Sequence, residues 1–550
     1  MSATALPGRM RPLHVLLAAW AILFGIMASW SMSNALASAP DEPAHFIKAA
    51  ATVRGEPHGA PGTVEQTRLM HVPEYIARTQ GGSVCQLGLP IQDATCLPSF
   101  DGSNDDLVAV ETTAGPYDPL YYAIVGLPSL AVSGEKALYG MRLASALLCS
   151  GLLASGFAAL SMRSRSSWTL PAAAVAITPI TLFLGSSVNH AGMEAAAAFS
   201  MACWLSLLPD PRRRAGLPLI MGAAAASSLF LMGARFTSPV WALAILGALL
   251  LDGGARRELL RSRAVWAGLA AIAAFGAGAL AWIGISGAPH PGAGWGAGET
   301  SFGEGFEFML SHTLDRAEGL VSLLGAGDVP LPATVPLVWG GLMAALVAAA
   351  VLLGRGWARI RVVVLAALFA LLPAVIQGLE FQEHGYIWQD RFLLPIAIAL
   401  VVTAGAALDE ALPPLRAILR GRTALALTLA GLGAMQLFAF MWVLRRNVIS
   451  LDEEQRRWSL MVTGPMWQPP GGWPLWAIAF AALLALGLVL LYRGALRAPA
   501  AGRVPEPLEP GAREVAERRG PAVDAEPADG AEADAPVAHT SSLEILREDA

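Results

Sequence analysis

The sequence predicts an all-α polytopic integral membrane protein with about twelve transmembrane helices and a long first extracytoplasmic loop. Of its 550 residues, 55% are hydrophobic and 14% are charged, whereas soluble domains carry about 25% charged residues. Apolar stretches recur along the chain, most of them near the roughly 20 residues that a helix needs to cross a bilayer. Because lipid offers the backbone no hydrogen-bond partner, these stretches must be helical.

A long polar loop separates the first apolar stretch from the others. The predicted spans are 13–34, 137–160, 168–186, 191–208, 216–234, 238–252, 265–286, 333–354, 362–378, 392–408, 423–444 and 473–492. The chain therefore divides into a cytoplasmic amino terminus (1–12), a first transmembrane helix (13–34), an extracytoplasmic loop (35–136), a multi-helix transmembrane domain (137–492) and a disordered cytoplasmic tail (493–550).

The arginines predict the orientation, because positive residues favour cytoplasmic loops. They fall on alternate loops, which places both termini in the cytoplasm and the long loops outside. The polar residues near span ends gather on that outer side, so the working face is expected to be extracytoplasmic. The cytoplasmic arginines are Arg9, Arg11, Arg163, Arg165, Arg212–Arg214, Arg256, Arg257, Arg261, Arg263, Arg355, Arg359, Arg361, Arg416, Arg420, Arg422, Arg493 and Arg497.

Two features of this topology, an arginine pair on the outer side and the nature of the first span, each have two possible interpretations. Arg445 and Arg446 fall on the outer side, where they either bind an anionic group or snorkel to the membrane interface. The first span, with Ala37-Ser38-Ala39 after it, resembles a signal peptide with a small-residue cleavage site. Its apolar stretch is long for a signal peptide, so we expect an uncleaved first helix.

The first outer loop and the tail differ in composition from the spans. Cys85 and Cys96 share the loop, and two cysteines in an exported loop predict a disulfide; the alternative is a pair of free thiols. After about residue 498, Pro, Ala, Glu, Asp and Gly dominate without apolar periodicity. That composition predicts a disordered tail.

Several classes of partner and cofactor find no support in the sequence. No basic stripe stands outside the short loops, so no nucleic-acid partner is expected. The chain has neither a C-x2-C metal-binding pair nor a glycine motif of the nucleotide-binding kind. No cofactor is certain, and a divalent metal ion at the carboxylates of the outer loop is the one that the sequence leaves open.

Three titratable residues lie within five positions directly after the first span. Asp41 and Glu42 are adjacent, and a helix that begins here places Asp41, His45 and Lys48 on one face. A carboxylate beside an imidazole and an ammonium suits general-base chemistry, because its neighbours orient it and set its pKa. The structural alternative is that Asp41 caps this helix and Pro43 occupies its first turn.

Other polar residues lie near the membrane on the same side. Tyr121 and Tyr122 belong to a short apolar stretch that predicts an interfacial helix, with an aromatic belt as the plainer interpretation. Asn189 and Glu194 lie in an outer turn, where polar groups close to lipid are costly and often functional. A tight solvated turn is the alternative there.

Arginines at two outer span mouths are candidates for binding phosphate. Arg235 and Arg391 each have a planar guanidinium group whose paired N–H donors match phosphate oxygens, although either residue could instead be an interfacial anchor. Gln389 adds a polar neighbour to Arg391, whereas Asp328, in a glycine-rich turn, is a weaker candidate.

These landmarks, in this order, resemble a bacterial family of polytopic membrane proteins known as domain of unknown function 2142. The resemblance covers roughly residues 15–490 and departs from the family at Asp390, where Gly is usual, and at His190, where Pro is usual. The matching stretches are Asp41-Glu42-Pro43-Ala44-His45-Phe46, Asp118-Pro119-Leu120-Tyr121-Tyr122, Asn189 to Glu194, Gly325 to Pro332, and Gln389 to Pro395.

That family is similar to membrane glycosyltransferases of the GT-C architecture, which take sugars from polyprenyl phosphate. The resemblance implies a bacterial cytoplasmic membrane enzyme with a polyprenyl-phosphate-linked sugar donor, an envelope glycan, lipid or protein acceptor, and contact with membrane lipid. It implies an acidic catalytic residue just after the first span, the place of Asp41 and Glu42. The residues then expected to bind substrate are His45, Lys48, Tyr121, Tyr122, Asn189, Glu194, Arg235, Asp328, Gln389 and Arg391.

Two other functions fit the same architecture. A lipid-linked sugar flippase or transporter would share the spans and the termini, but internal repeats and helices broken at mid-membrane are typical of transporters and neither is evident here. A non-catalytic protein of envelope assembly would use the charged residues for packing alone. Convergence of Asp41, Glu42 and Arg391 on one outer site would favour the enzyme.

Overall fold

The computed structural model describes residues 11–497 except 65–66, 87, 90, 252, 288–297, 299–300, 317–318, 387 and 452–456. Within these residues nine helices are long and apolar enough to cross a membrane, so the prediction of a helical multi-pass protein is confirmed. Predicted spans 168–186, 191–208 and 238–252 correspond to shorter helices. The tail from 498 onwards lies outside the described residues, and the last helix continues past the predicted boundary at 492 to Arg497.

The first outer loop folds into short helices and a three-stranded antiparallel sheet of order β1-β2-β3, which the all-α prediction did not include. In β2, Met70 and Val72 are buried while His71 between them is exposed, the period-two pattern of a strand with one covered face. The elements are α1 (Pro12–Ser33), α2 (Glu42–Val53), β1 (Ala60–Pro61), β2 (Arg68–Pro73), α3 (Glu74–Ala77), α4 (Thr79–Gln86), a 3₁₀ helix (Ala94–Cys96), β3 (Leu107–Thr112), α5 (Pro119–Val125) and α6 (Pro128–Ala131).

A disulfide joins Cys85, at the end of α4, to Cys96 in the 3₁₀ helix, with 5.6 Å between the two Cα atoms. Cys149 and Cys203 are buried free thiols, as expected for cysteines within spans. The disulfide closes a short loop between α4 and this 3₁₀ helix.

Two helices form the centre of the transmembrane bundle. Every residue of α10 is buried, and so are nearly all of α19. The run Ala195–Ala198 in α10 lets neighbouring helices approach closely, which is how small residues promote packing in membranes. The first half of the bundle consists of α7 (Gly134–Met162), α8 (Thr169–Ala176), α9 (Pro179–Gly185), α10 (His190–Leu205), a 3₁₀ helix (Pro211–Gly216), α11 (Leu217–Met232), α12 (Ser238–Leu250), α13 (Gly253–Leu259) and α14 (Arg263–Ser286).

The second half surrounds α19 and ends with a helix that is exposed over most of its length. In α22 only Phe480 and Ala495 are buried among the described residues, and the helix lies against α1 and α20. The elements are α15 (Phe302–Arg316), α16 (Gly319–Ser322), β4 (Leu323–Leu324), β5 (Val329–Pro330), α17 (Thr334–Leu353), α18 (Gly356–His384), a 3₁₀ helix (Asp390–Leu393), α19 (Leu394–Ala411), a 3₁₀ helix (Leu415–Ala417), α20 (Gly421–Ile449), α21 (Leu460–Thr463) and α22 (Trp473–Arg497).

The predicted span 168–186 is broken into α8 and α9, a feature that sequence reasoning did not find. Pro179 has no N–H to donate, so a carbonyl of the preceding turn loses its helical partner. Trp339 Nε1 donates to the Val175 carbonyl at 2.8 Å, and Gln436 Nε2 donates to the Ile177 carbonyl at 2.9 Å. Side chains from α17 and α20 thus satisfy the backbone at the break, as a low-dielectric surrounding requires.

The orientation can be tested with reporters fused after residues 34, 136 and 497. We expect outside signals at 34 and 136 and an inside signal at 497, because the arginines alternate between loops. We also expect the first helix to be retained, since α1 lies against both α7 and α22. An outside signal at 497, or a mature protein beginning at Pro40, would contradict this topology.

Candidate active site

Asp41 stands at the start of α2 in an unusual backbone conformation. It occupies the N-cap position and Pro43 lies in the first turn of the helix, as the structural alternative predicted. Its φ is +55° and its side chain makes no cap hydrogen bond, so the carboxylate itself does not cap the helix. The left-handed region is unfavourable for most side chains but is tolerated by Asp and Asn. This turn directs the chain from the end of α1 into α2 and leaves the carboxylate free for another partner.

That partner is Arg391, which lies 350 positions further along the chain, in the 3₁₀ helix before α19. Arg391 Nη2 donates to Asp41 Oδ2. The side chain of Arg391 is 13% exposed, whereas that of Asp41 is 55% exposed. Burial raises the pKa of Asp41, but the positive charges of Arg391 and Arg235 oppose this effect, and the net shift lowers the pKa below its usual value.

Glu42 points the other way, into the protein, and is fully buried. Arg142 of α7 holds both carboxylate oxygens: Nε donates to Oε1 at 2.7 Å and Nη2 donates to Oε2 at 2.5 Å. The Val188 amide also donates to Oε1, at 3.1 Å. The two adjacent acidic residues therefore have different environments, because only Asp41 reaches the surface.

A second ion pair lies beside the first. Arg235 Nε donates to Glu194 Oε2 at 3.1 Å, and Ser238 Oγ donates to Glu194 Oε1 at 2.6 Å. The Arg235 guanidinium lies 4.3 Å from the ring centre of Phe392, the residue that follows Arg391. Two arginines from different parts of the bundle thus lie close together, and the pKa of Asp41 responds to both of them.

Histidine and tyrosine side chains pack around these charges. Tyr122 Oη lies 2.9 Å from His45 Nδ1 and 3.2 Å from His190 Nδ1. The two imidazole rings are 4.8 Å apart, and the ring of Tyr117 lies 4.3 Å from that of His190. Burial lowers the pKa of His45 to about 3 despite the nearby Asp41, so this imidazole is neutral at physiological pH.

The hydroxyl of Tyr122 has one proton to share between two imidazoles. At most one imidazole can therefore accept from this hydroxyl, and at least one histidine carries its proton on Nδ1 and donates to the tyrosine oxygen. The Nε2 atom of that histidine is then an acceptor. Both Nε2 atoms are buried and have no partner in the described structure, so a ligand hydroxyl could donate to at least one of them.

Two more buried nitrogens of this cluster lack a hydrogen-bond partner in the described structure: Arg235 Nη2 and Arg391 Nε. Buried polar groups in proteins are nearly always paired, and each exception calls for an explanation. With the Nε2 atoms of His45 and His190, four nitrogens from four segments are unpaired in one region. A bound ligand with negative and hydroxyl oxygens would satisfy them.

Asn189 fixes the position of the acidic turn. Its Nδ2 donates to the Pro40 carbonyl at 2.7 Å, while its Oδ1 accepts from the Ala191 amide at 2.9 Å and caps α10. The start of α10 lies very close to α9, since a Cβ on Gly192 would come within 2.4 Å of the Gly185 nitrogen. Asn189 is thus a positioning residue for Asp41.

Lys48 and Tyr121 also have internal partners. Lys48 is fully buried, donates to the carbonyls of Pro57 and Gly115, and burial lowers its pKa to about 7 against the opposing effect of Asp118. Tyr121 Oη bonds to Ser145 Oγ at 2.8 Å. Tyr121 and Tyr122 are both buried, so the aromatic-belt interpretation is wrong.

Asp328 and Gln389 have surroundings of their own. Asp328 lies in the β4–β5 turn and accepts from Arg446 Nη2 at 2.8 Å. Arg446 is 1% exposed and also donates to the Gln86 carbonyl, so it neither snorkels nor offers a free anion site. Arg445 lies 5.6 Å from the ring of Trp442. Gln389 is exposed at the start of the 3₁₀ helix of Arg391.

The family model described as "Predicted membrane protein (DUF2142)" matches residues 24–400, a stretch that includes both Asp41 and Arg391. The chain belongs to the DUF2142 family. A comparison with curated proteins found no match.

Two solved structures resemble this DUF2142 protein at low identity. They are the crystal structures of ArnT from Cupriavidus metallidurans bound to undecaprenyl phosphate and in the apo state. The identities are 13% and 14% and the TM-scores 0.42 and 0.41. In both cases the match covers 88% of this chain and 76% of the other.

The acidic turn of the DUF2142 protein does not fit a metal ion. Arg142 holds both oxygens of Glu42, and Arg391 pairs with Asp41. Within the described residues, no group of three or more His, Cys, Asp or Glu side chains is arranged to bind a metal. Guanidinium groups occupy the positions beside the carboxylates that a cation would need.

Sequence reasoning missed three members of the cluster: Arg142, Tyr117 and His190. Arg142 is a charged residue within a predicted apolar span, and such residues are costly enough to mark a buried partner. The position of Arg142 within the predicted span 137–160 could therefore have predicted a buried acidic partner. Tyr117 and His190 lie beside residues that were singled out, but only the folded chain places them against His45.

Glu42→Gln should destabilise the protein, because it leaves Arg142 as a buried charge without its carboxylate. Breaking a buried pair costs about 3–5 kcal/mol. The matched control is Glu74→Gln, which breaks the exposed pair with Arg78 and should cost less than about 1 kcal/mol. Thermal unfolding of the purified protein in detergent measures both variants. Equal midpoints for the two variants would show that the Glu42 pair is not structural.

Proposed function

We propose that this DUF2142 protein is a membrane glycosyltransferase that moves a sugar from a polyprenyl-phosphate donor to a cell-envelope acceptor on the outer face. The observation that carries the proposal is the ion pair between Asp41 and Arg391. It joins a surface carboxylate to a buried arginine at the mouth of the first helix. Such a transfer needs a base and a phosphate-binding group close together, and Asp41 and Arg391 are in direct contact.

Asp41 is the general base in this proposal. It is exposed where Glu42 is fully buried, so an acceptor hydroxyl can reach Asp41 alone. The carboxylate takes the hydroxyl proton while the acceptor oxygen bonds to the anomeric carbon of the sugar. The bond from that carbon to the donor phosphate oxygen breaks at the same time, and its electron pair leaves with polyprenyl phosphate.

Arg391 and Arg235 stabilise the charge on the leaving phosphate. Preorganised cations aimed at developing negative charge are among the largest contributions to catalysis. Both arginines keep one buried nitrogen without a partner in the described structure, so each can take a phosphate oxygen without giving up its present carboxylate. A hydroxyl of the sugar then bonds to the unpaired Nε2 of His45 or His190.

Donor binding also prepares the base. Arg391 lowers the pKa of Asp41, and a base with a low pKa accepts a proton poorly. A donor phosphate shares the positive charge of Arg391, which raises the pKa of Asp41 towards its ordinary value. The base therefore becomes stronger when the donor is in place.

The break between α8 and α9 is the observation that favours the flippase alternative, since broken helices are typical of transporter sites. Here, however, Trp339 and Gln436 fill the carbonyls freed at the break. Among the described residues, the break leaves one unpaired buried oxygen, Gln436 Oε1, whereas four unpaired nitrogens, two of them on arginines, gather in the cluster around Asp41. This arrangement supports an outer-face enzyme over a mid-membrane transport site.

Asp41→Asn should lower the rate of sugar transfer by about 10²–10⁴, the usual effect of losing a general base. Folding should be preserved, because Asn tolerates the left-handed backbone conformation of this position. Transfer from polyprenyl-phosphate sugars is measured with the purified protein in lipid. The matched control is Asp106→Asn, an exposed carboxylate of the same outer loop, which should keep wild-type activity.

Full transfer by Asp41→Asn would refute its role as the base. If the wild-type protein transferred no sugar from any such donor but moved the lipid across vesicles, the flippase reading would replace the enzyme.

Arg391→Ala should raise the donor concentration needed for half-maximal rate. A charge-assisted hydrogen bond is worth about 1.5–3 kcal/mol, which is about a 10- to 150-fold change in donor affinity. The same variant should raise the pKa of Asp41 in the absence of donor, because the largest lowering charge is gone. Titration of donor against rate, with Arg78→Ala as the control for an exposed arginine of the outer loop, measures the first effect. An unchanged donor requirement would exclude Arg391 from the phosphate site.

A further inference from the structure

An apolar cavity of about 350 Å³ lies at the end of the bundle opposite to the Asp41 cluster. Residues of α1, α8, α20 and α22 line it, among them Val15 and Ile26 of α1 and Leu432 of α20. The positive-inside pattern places this end at the cytoplasmic side of the membrane. Nothing in the proposed transfer reaction uses the cavity.

An aromatic cluster closes the cavity towards the outer side. Trp30 packs against Phe183 and Phe440 with ring centres 5.3 and 4.9 Å apart, and Phe440 stacks on Phe480 at 4.2 Å. On α1, α20 and α22 these aromatic residues lie one turn beyond the outermost cavity residues of the same helix. An occupant therefore enters from the cytoplasmic end and cannot extend directly to the outer site.

The depth of the cavity matches one leaflet. Its lining on α1 runs from Val15 to Ile26, which at 1.5 Å per residue is about 16 Å. Half of the hydrocarbon core of a bilayer is about 15 Å. The cavity thus fits a chain that ends at the middle of the membrane.

Two arginines mark the mouth. Arg493 and Arg497 both line the cavity at the end of α22 and, four positions apart, share one face of the helix. Neither takes part in an ion pair among the residues that the structure describes. Ser166, which is buried, lines the same end. The lining is therefore positive and hydrogen-bonding at the mouth and mostly apolar beyond it, with Gln436 of α20 as a polar residue near its inner end.

We propose that this cavity is a binding site for an anionic phospholipid of the cytoplasmic leaflet. One acyl chain fills the apolar part up to the aromatic cluster, and the phosphate lies between Arg493 and Arg497. The lipid completes the packing between α1 and α22, the helix that the rest of the protein covers least. The two arginines at the mouth favour an anionic headgroup, and a cavity as deep as one leaflet favours a lipid acyl chain.

Native mass spectrometry of the full-length protein tests the site. Delipidated protein is titrated with dioleoylphosphatidylglycerol, which is anionic, and with dioleoylphosphatidylcholine, which has the same chains and no net charge. One phosphatidylglycerol should bind tightly. Each arginine near a lipid phosphate contributes about a fivefold gain in affinity, so the anionic lipid should bind about 25-fold more tightly than phosphatidylcholine.

Two variants and one control separate the charge from the cavity. The double substitution Arg493→Gln and Arg497→Gln should bring the affinity for phosphatidylglycerol down to that for phosphatidylcholine. Ala174→Phe, which fills the cavity from α8, should weaken both lipids. Arg257→Gln, an exposed arginine of α13 on the same predicted side, should change neither. If Ala174→Phe fails to fold, the arginine pair alone decides.

Equal affinity of the wild-type protein for the two lipids, or an unchanged affinity in the double variant, would overturn the proposal. Displacement of phosphatidylglycerol by an equimolar polyprenyl phosphate would also overturn it, because the cavity would then belong to the lipid carrier. Loss of phosphatidylglycerol binding in the double variant with intact sugar transfer would show that this site is separate from the outer one.

Discussion

The buried pair of Glu42 and Arg142 is the interaction on which the candidate site around Asp41 depends. The five N–H donors of a guanidinium are all used here, two on Glu42 and three on the carbonyls of Ser31, Asn34 and Ala35. Those carbonyls belong to the last turn of α1 and the residues after it, where backbone acceptors lack helical partners and a positive charge is favourable. One arginine thereby joins the end of α1, the start of α2 and the middle of α7.

Because Arg142 holds Glu42 in the interior, the neighbouring Asp41 carboxylate faces the protein surface. Asp41 and Glu194 carry two negative charges, and Arg391 and Arg235 carry two positive ones. The cluster is balanced without a ligand, so it is stable when empty, yet both arginines keep an unused donor in the described structure. A phosphate that enters makes the cluster negative by sharing these arginines, and Asp41 is the group that can relieve the excess by taking a proton.

Much of this arrangement follows from the sequence, because apolar length indicates where most of the spans lie. Asp41, Arg235 and Arg391 could be singled out as polar residues at outer span ends, and the fold brings them together. Arg142 could not be assigned a partner, since the sequence of α7 does not show which other helix packs against it. The break at Pro179 was hidden because the span remains apolar throughout, and the side chains that tolerate it come from Trp339 and Gln436, far along the chain.

The two ends of the bundle then differ for one physical reason. At the end that carries Asp41, buried polar groups are paired with one another and leave a few nitrogens for a ligand, which suits the precise placement of reacting atoms. At the opposite end, α22 has few buried residues among those described and the space beside it is mostly apolar, which suits a flexible chain that needs no exact geometry. The aromatic cluster of Trp30, Phe183, Phe440 and Phe480 lies between them and would separate a lipid chain in the cavity from the charged cluster. Helix α1 carries Trp30 of this cluster and, at its C-terminal end, the carbonyls that bind Arg142. Tighter packing of α1 beside the cavity would therefore also hold the acidic turn more firmly in place.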